Sequence, residues 1–323
     1  MNICIVGAGA LGCAIGAALS EAGSSVWLIN RSPAQVEAMS RHGLQLVTPE
    51  GERSVPVRAA TGCAGLPVAD LVIVLVKSYD TQAAILGAAP VIGPDTAVLS
   101  LQNGLGHEDI LADAVGRGRM LAGKTYLGGV MLAPGRIISG TVGKQTFIGE
   151  LDGAITPRVQ AIAAEFNRAG LATTVSDNIL GTMWDKLLVN VATSALSGIT
   201  RLSYGDLYEV PEVRETALAA VAEALAVARA AGVRLSFTEP VQAWNRAAEG
   251  LPRAFKASML QSLEKGARGR GPITEVDFIH GAVVRGGLRH GIPTPVNATL
   301  VACIKGIERA LVVQASDPQG VPA

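Results

Sequence analysis

Within its first twelve residues the chain runs an apolar stretch, Ile3-Cys4-Ile5-Val6, straight into Gly7-Ala8-Gly9-Ala10-Leu11-Gly12. An Ala-rich segment from Cys13 to Ala22 follows. Strand, tight turn and helix succeed one another with no residue to spare, and few topologies tolerate that. Gly7 permits the turn. Gly9, lacking a Cβ, lets a pyrophosphate approach the backbone, and Gly12 lets the helix lie close to the strand. The free N–H groups at the helix start then face a diphosphate, so Gly7, Ala8, Gly9, Ala10, Leu11 and Gly12 are the expected cofactor contacts. The run from Ile3 to Leu19 also has the hydropathy of a signal peptide or membrane span. Three glycines at turn spacing, no basic segment ahead and charged periodic sequence behind argue against both. The expectation is a cytoplasmic protein that is not embedded in a membrane.

The 323 residues suffice for two domains. Hydrophobic residues make up 49% and aromatics 4%, so the cores must be built from Ala, Leu, Val and Ile. Lys plus Arg (27) balance Asp plus Glu (27) with no dense basic cluster, which excludes general nucleic-acid binding. Cys4, Cys13, Cys63 and Cys303, like the four histidines, lack metal-ligand spacing. A reduced compartment and no metal are expected.

The first half alternates strand and helix patterns. Val26 to Asn30 reads as a second strand, and Ser32 caps a helix through Met39 with Pro33 at its first position. Leu44–Val47 and Ser54–Val57 suggest a small hairpin. Asp70 to Val76 is nearly all apolar, as a parallel strand buried on both faces should be. Ala97–Leu101, Met120–Gly123 and Thr146–Gly149 are later strands, and together they predict a doubly wound parallel sheet. After Val175 only helical patterns remain: Trp184–Ser197, Val213–Ala231, Glu239–Glu249, Ala254–Lys265, Glu275–His290 and Asn297–Val313. The predicted organisation is an α/β cofactor domain over residues 1–177, an all-α domain over 178–313 and a frayed tail over 314–323.

At the end of the second strand, where NAD-binding folds place a carboxylate for the ribose, this chain has Asn30-Arg31-Ser32. No carboxylate repels a 2′-phosphate there and a guanidinium can pair with one, so NADP is expected over NAD. The plainer alternative is a solvated arginine beside a helix cap. Lys77, past the third buried strand, is either a second cofactor contact or a surface lysine.

Candidate chemistry concentrates in Trp184-Asp-Lys186-Leu-Leu-Val-Asn190-Val-Ala-Thr-Ser194. Lys186, Asn190 and Ser194 fall on one face of a helix that is otherwise almost wholly apolar. Such a lysine must line a cleft or pair with a carboxylate. Asn103, in Gln102-Asn103-Gly104 after a buried strand, is placed to touch nicotinamide or substrate, and otherwise reads as a turn. Thr274-Glu275-Val276-Asp277 opens a helix, with Thr274 as a cap and the acids favoured by the helix dipole. Ser258, in Ala257-Ser-Met-Leu-Gln261, carries no signal by itself.

In combination and order these segments resemble the ketopantoate reductase family nearly end to end. The matching pieces are GAGALG at the N-terminus, Leu75-Val-Lys77, Leu101-Gln-Asn-Gly-Leu-Gly106, Trp184-x-Lys-Leu-x-x-Asn190, Ser258-Met-Leu-Gln261, Thr274-Glu-Val-Asp277 and Gly291-Ile-Pro-Thr-Pro295. The resemblance implies a Rossmann domain joined to an all-α domain like the C-terminal part of 6-phosphogluconate dehydrogenase, with catalysis in the cleft between them. It implies NADPH-dependent reduction of a small-molecule 2-oxo acid to a 2-hydroxy acid, with 2-dehydropantoate in pantothenate biosynthesis as the first candidate. Lys186 would be the general acid, Glu275 would support the substrate hydroxyl or a proton relay, and Asn103, Asn190, Ser194 and Ser258 would hold substrate. The Ala-rich helices could also pack between the subunits of a homodimer.

Three features depart from the family pattern. Ser194 stands where members reducing ketopantoate commonly carry another Asn, His280 stands where Asn before Gly is usual, and the stretch 264–272 is longer than usual. These changes point at the substrate pocket and leave open another branched 2-oxo acid, a 3-oxo acid, an imine, or a non-catalytic NADP-binding sensor.

Overall fold

The computed structural model describes residues 1–266 and 274–316. Two compact units form: Met1–Gln102 with Gly106–Leu180, and Asn103–Leu105 with the chain from Gly181 onward.

The first unit contains twelve strands: β1 (Asn2–Val6), β2 (Ser25–Ile29), β3 (Leu44–Thr48), β4 (Gly51–Val55), β5 (Arg58–Ala60), β6 (Ala69–Val74), β7 (Ile92–Ser100), β8 (Met120–Thr125), β9 (Gly128–Ala133), β10 (Arg136–Gly140), β11 (Thr146–Glu150) and β12 (Thr173–Val175). Its helices are α1 (Ala10–Glu21), α2 (Pro33–His42), α3 (Thr81–Gly87), α4 (His107–Val115) and α5 (Pro157–Arg168). Eight strands make the main sheet in the order β12-β11-β8-β7-β6-β1-β2-β5, parallel except between β8 and β11. Period-two alternation divides β1 between two cores: Ile3 and Ile5 pack on one face, Cys4 and Val6 on the other. Both faces are covered, as the nearly continuous apolar runs of β1 and β6 require. The chain starts at β1 in mid-sheet and builds outward on both sides, to β2 and to β6. That reversal opens a crevice at the carboxyl ends of β1 and β6.

The anticipated hairpin is β3–β4, but it belongs to a second sheet in the order β4-β3-β10-β9. Ser32 caps α2 by accepting from Gln35 N at 3.4 Å, with Pro33 as its first residue. Thr156 caps α5 in the same way.

The helices that follow are α6 (Ile179–Thr200), α7 (Tyr204–Leu207), α8 (Pro211–Ala230), α9 (Pro240–Ala248), α10 (Ser258–Gly266), α11 (His280–His290) and α12 (Pro295–Ser316). Among the described residues no strand follows β12. Small residues let these helices approach: Ala217, Ala220, Val221 and Ala224 of α8 are fully buried beside Leu188, Val191 and Ala195 of α6 in one core. Four aromatics gather here, Tyr208 stacking on Trp244 at 4.0 Å and Tyr204 meeting Phe255 edge-on at 5.1 Å.

The expected helix over 275–290 is interrupted. Thr274 Oγ1 accepts from Val276 N, two residues on, and so closes a short turn that feeds a 3-10 segment over Val276–Phe278. The Phe278 carbonyl accepts from Leu105 N at 2.9 Å, and Ile279 leaves the helical region (φ −105°, ψ −87°) before α11 begins. Helix α12 runs past Gln314 to Ser316, and the rest of the expected frayed tail lies outside the described residues. So does most of the long stretch from Glu264 to Pro272. No helix among the described residues is long and apolar enough to cross a membrane.

Candidate active site

The glycine loop joins β1 to α1 at the sheet's switch point. Gly7 adopts φ +109°, and a Cβ there would lie 2.6 Å from the Leu75 carbonyl carbon. A Cβ on Gly12 would stand 2.4 Å from Gly7 O, so only glycine lets α1 start this close to the loop. A Cβ on Gly9 would meet nothing within 4 Å: the space in front of that residue is open. The amides of Gly7 and Ala8 donate to Ile29 O at 3.1 and 2.8 Å, and Gly9 N donates to Gly7 O at 2.8 Å. These bonds build the turn. The first-turn amides of Ala10, Leu11 and Gly12 have no partner inside the helix, and no side chain caps α1. That arrangement suits an anionic diphosphate.

Asn30 braces the same loop. Its Nδ2 donates to Ala8 O at 2.8 Å, and its Oδ1 accepts from Ser32 N at 2.9 Å. Arg31 reaches Asp80, with Nη2 to Oδ2 at 2.7 Å and Nη1 to Oδ1 at 3.3 Å. Sequence reading finds Arg31 and passes over Asp80. The signal for Asp80 is only that it follows Lys77 by three residues at the carboxyl end of a buried strand. Lys77 is exposed just past β6, and its carbonyl accepts from Asp80 N at 2.8 Å.

Buried polar groups tie this turn to the end of β7. Gln102 Nε2 donates to Val76 O at 3.0 Å and to Thr81 Oγ1 at 2.8 Å, and Thr81 Oγ1 donates to Ser78 O at 2.8 Å. Glu108, buried at the start of α4, accepts from Gly106 N at 3.1 Å. Burial pushes its carboxyl up to about 7, against the pull of that amide. Glu108 carries no local sequence signal, and Gln102 is marked only by the run Gln102-Asn103-Gly104.

In the second unit, Lys186, Asn190 and Ser194 lie four residues apart along the continuous helix α6 and share one face. Lys186 Nζ donates to Asn103 Oδ1 at 2.7 Å. Asn103 comes to this helix because Asn103–Leu105 belongs to the second unit, held by the Leu105 N to Phe278 O bond. Phe278 N in turn donates to Glu275 O at 3.0 Å, so Glu275 stands one short turn from that junction. Glu275 and Ser258 line the same hollow, with Met259, Ser262 and Ile279. Lys186, Asn190 and Glu275 are half-buried and Ser258 is exposed. Ser194 is buried, and its Oγ has no hydrogen-bond partner among the described residues.

His280 is not a pocket residue. It is fully buried, and its Nδ1 lies 2.9 Å from Asn297 Oδ1. The expectation that this position reads the substrate is corrected: the ring serves the packing of α11 against α12. Asp277 is no simple cap either, since its carboxylate pairs with Lys305. Among the described residues no group of three or more His, Cys, Asp or Glu could hold a metal ion.

A glycine loop at the switch point of a parallel sheet is the phosphate-binding arrangement of a dinucleotide-binding domain, and the matches below make the protein an oxidoreductase. The family model for ketopantoate reductase PanE/ApbA matches residues 3–153, and the model for its C-terminal part matches residues 178–308. A 2-dehydropantoate 2-reductase of Halobacterium salinarum is 34% identical over 96% of this chain and 99% of its own length. The crystal structure of a PanE/ApbA family ketopantoate reductase from Ralstonia eutropha JMP134 superposes with a TM-score of 0.86 at 36% identity, covering 97% of this chain and all (100%) of the other. D-mandelate dehydrogenase with NADH and anilino(oxo)acetate superposes with a TM-score of 0.87 at 26% identity, covering 97% of this chain and 100% of that one. The chain belongs to the ketopantoate reductase PanE/ApbA family.

Proposed function

We propose that this protein reduces a 2-oxo acid to the 2-hydroxy acid with NADPH, and that 2-dehydropantoate, giving pantoate, is its substrate. The observation that carries the reading is the 2.7 Å bond from Lys186 Nζ to Asn103 Oδ1 on the polar stripe of α6. That bond aims the lysine's Nζ from a largely buried helix at a fixed acceptor, the orientation a general acid needs. Residues 1–177 act as the cofactor domain and 178–313 as the substrate domain.

The cofactor fits the loop. Gly7, Ala8 and Gly9 shape the turn, and Ala10, Leu11 and Gly12 present amides to the pyrophosphate. Asn30 braces the loop, Arg31 pairs with the 2′-phosphate, and Lys77 and Asn103 supply further contacts. When bound, the reduced nicotinamide supplies the hydride that the carbonyl carbon accepts. The C=O π pair moves onto oxygen, and Lys186 Nζ gives its proton to that oxygen. A cation fixed beside a developing alkoxide contributes about 3 to 4 kcal/mol of barrier lowering. Asn103 positions Lys186, and Glu275 supports the substrate hydroxyl or relays a proton. Asn190 and Ser258 bind substrate. Ser194 joins them as a buried hydroxyl that a ligand oxygen can complete.

The second reading is a relative acting on a different 2-oxo acid. Ser194, where members reducing ketopantoate commonly carry another Asn, and the likeness to D-mandelate dehydrogenase favour it. The test is NADPH oxidation followed with 2-dehydropantoate beside a panel of branched and aromatic 2-oxo acids, 3-oxo acids and imines. Selective turnover of 2-dehydropantoate supports the first reading, and a better acid in the panel establishes the second. Saturable cofactor binding with no turnover of any compound refutes both and revives a sensor.

A further inference from the structure

Arg31 and Asp80 form a two-pronged ion pair, at 2.7 and 3.3 Å, across the strand ends that flank the glycine loop. Arg31 follows β2 and Asp80 follows β6, the two neighbours of β1 in the sheet. The arginine side chain is 79% exposed and the aspartate 23%. An ion pair so open to solvent adds little to fold stability. Stability therefore does not account for it.

The two partners differ in rigidity. Asp80 ends a 3-10 turn whose backbone closes on Lys77 O, and which Thr81 and Gln102 clamp from below. The backbone that carries Asp80 is held, and the long arginine comes to its carboxylate. NADPH and NADH differ at one group, the 2′-phosphate or 2′-hydroxyl of the adenosine ribose. A guanidinium matches a phosphate oxygen pair with the same fork it offers a carboxylate. Arg31 cannot give that fork fully to both. In NAD-reading folds a carboxylate at the end of the second strand excludes the 2′-phosphate. Here that position is Asn30, whose side chain is committed to Ala8 and Ser32, and the carboxylate arrives from the β6 side instead.

We propose that Asp80 is a cofactor-selectivity residue: it competes with the 2′-phosphate of NADPH for the Arg31 guanidinium, and so holds down the protein's preference for NADPH over NADH. The inference rests on the reading of Arg31 as the 2′-phosphate contact. Asp80 acts through Arg31 and is a positioning residue.

The test measures dissociation constants of the full-length protein for NADPH and NADH by calorimetry, with adenosine 2′,5′-bisphosphate and AMP as fragments that isolate the phosphate. The variants are Asp80→Asn, Arg31→Met and the double variant. Asp80→Asn should tighten NADPH and the bisphosphate about tenfold at low ionic strength, less at high salt, and leave NADH and AMP within about twofold. Arg31→Met should weaken NADPH and the bisphosphate while sparing NADH and AMP, and in its background Asp80→Asn should gain at most about twofold. A merely structural role would move all four ligands together and lower the melting temperature. If Arg31→Met weakens NADPH but Asp80→Asn does not tighten it, the inference fails and the cofactor reading stands. If Arg31→Met leaves NADPH binding unchanged, the cofactor reading fails and takes the inference with it.

Discussion

Replacing His280 with Asn should remove an acid-sensitive component of stability. Asn297 Nδ2 donates to Ala220 O at 2.9 Å and to Glu223 Oε2 at 2.7 Å, so Asn297 Oδ1 must be the acceptor facing His280. His280 Nδ1 therefore carries the proton, and Nε2 is a buried lone pair without a partner among the described residues. A second proton would place a charge in an enclosed site beside Ile279 and Val283. Burial lowers the imidazole pKa to about 4, although the bond to Asn297 works the other way. The folded protein thus keeps His280 neutral while the unfolded chain takes up a proton near its ordinary value of about 6.5. Unfolding absorbs a proton between those values, so stability is full above about pH 6.5 and is lost as pH falls toward about 4. At about 1.4 kcal/mol per pKa unit, the full loss is about 3 kcal/mol, of which about 2 falls between about pH 7 and pH 5.

The assay is urea unfolding of wild type and His280→Asn across that range. The variant starts less stable at neutral pH, because a smaller side chain leaves a cavity worth about 1 to 3 kcal/mol. Its deficit should shrink by about 2 kcal/mol as pH falls to about 5. Glu108, raised to about 7, has the opposite pH dependence, losing stability as pH rises through its folded value. It is present in both proteins and cancels in their difference. A deficit that stays constant with pH would refute the assignment of His280 as a buried neutral base.

Gly12→Ala puts a methyl 2.4 Å from Gly7 O, backbone that cannot swing away, and should cost about 1 to 3 kcal/mol and weaken NADPH binding at least tenfold, read by melting and calorimetry. Glu223 accepts from Val296 N, Asn297 N and Asn297 Nδ2 at 2.8, 3.0 and 2.7 Å, capping α12 from α8. Glu223→Ala should destabilise by ~3 kcal/mol in urea unfolding, with Glu223→Gln retaining part of the loss. Asn103→Ala should lower kcat on the order of tenfold by freeing Lys186 from its orienting acceptor, read in steady-state kinetics at saturating cofactor.

What the sequence discloses here is what local periodicity encodes. The glycine loop, the doubly buried β1 and β6, the Ser32 cap and the polar stripe of α6 are all written in consecutive residues. The pair β9–β10 is not. Val130, Met131 and Leu132 are consecutive and exposed, with no alternation to mark a strand, and β10 finds its parallel partner in β3, far back in the chain. The break at Ile279 was hidden because Leu105, from a distant loop, claims the Phe278 carbonyl that a continuous helix would have used. Thr274 reads as a cap because a side chain that bonds two residues on and one that bonds three residues on have the same local sequence. Asp80 as partner of Arg31, and Asn103 as partner of Lys186, are long-range facts of the same kind. The place of His280 is hidden for the complementary reason: its burial depends on α12 and α8, not on its neighbours in sequence.

The most direct test of the catalytic account compares wild type with Lys186→Ala in NADPH oxidation with 2-dehydropantoate, alongside NADPH binding to each. The account predicts turnover lowered about a hundredfold or more with cofactor affinity unchanged. Near-normal turnover by Lys186→Ala would contradict it.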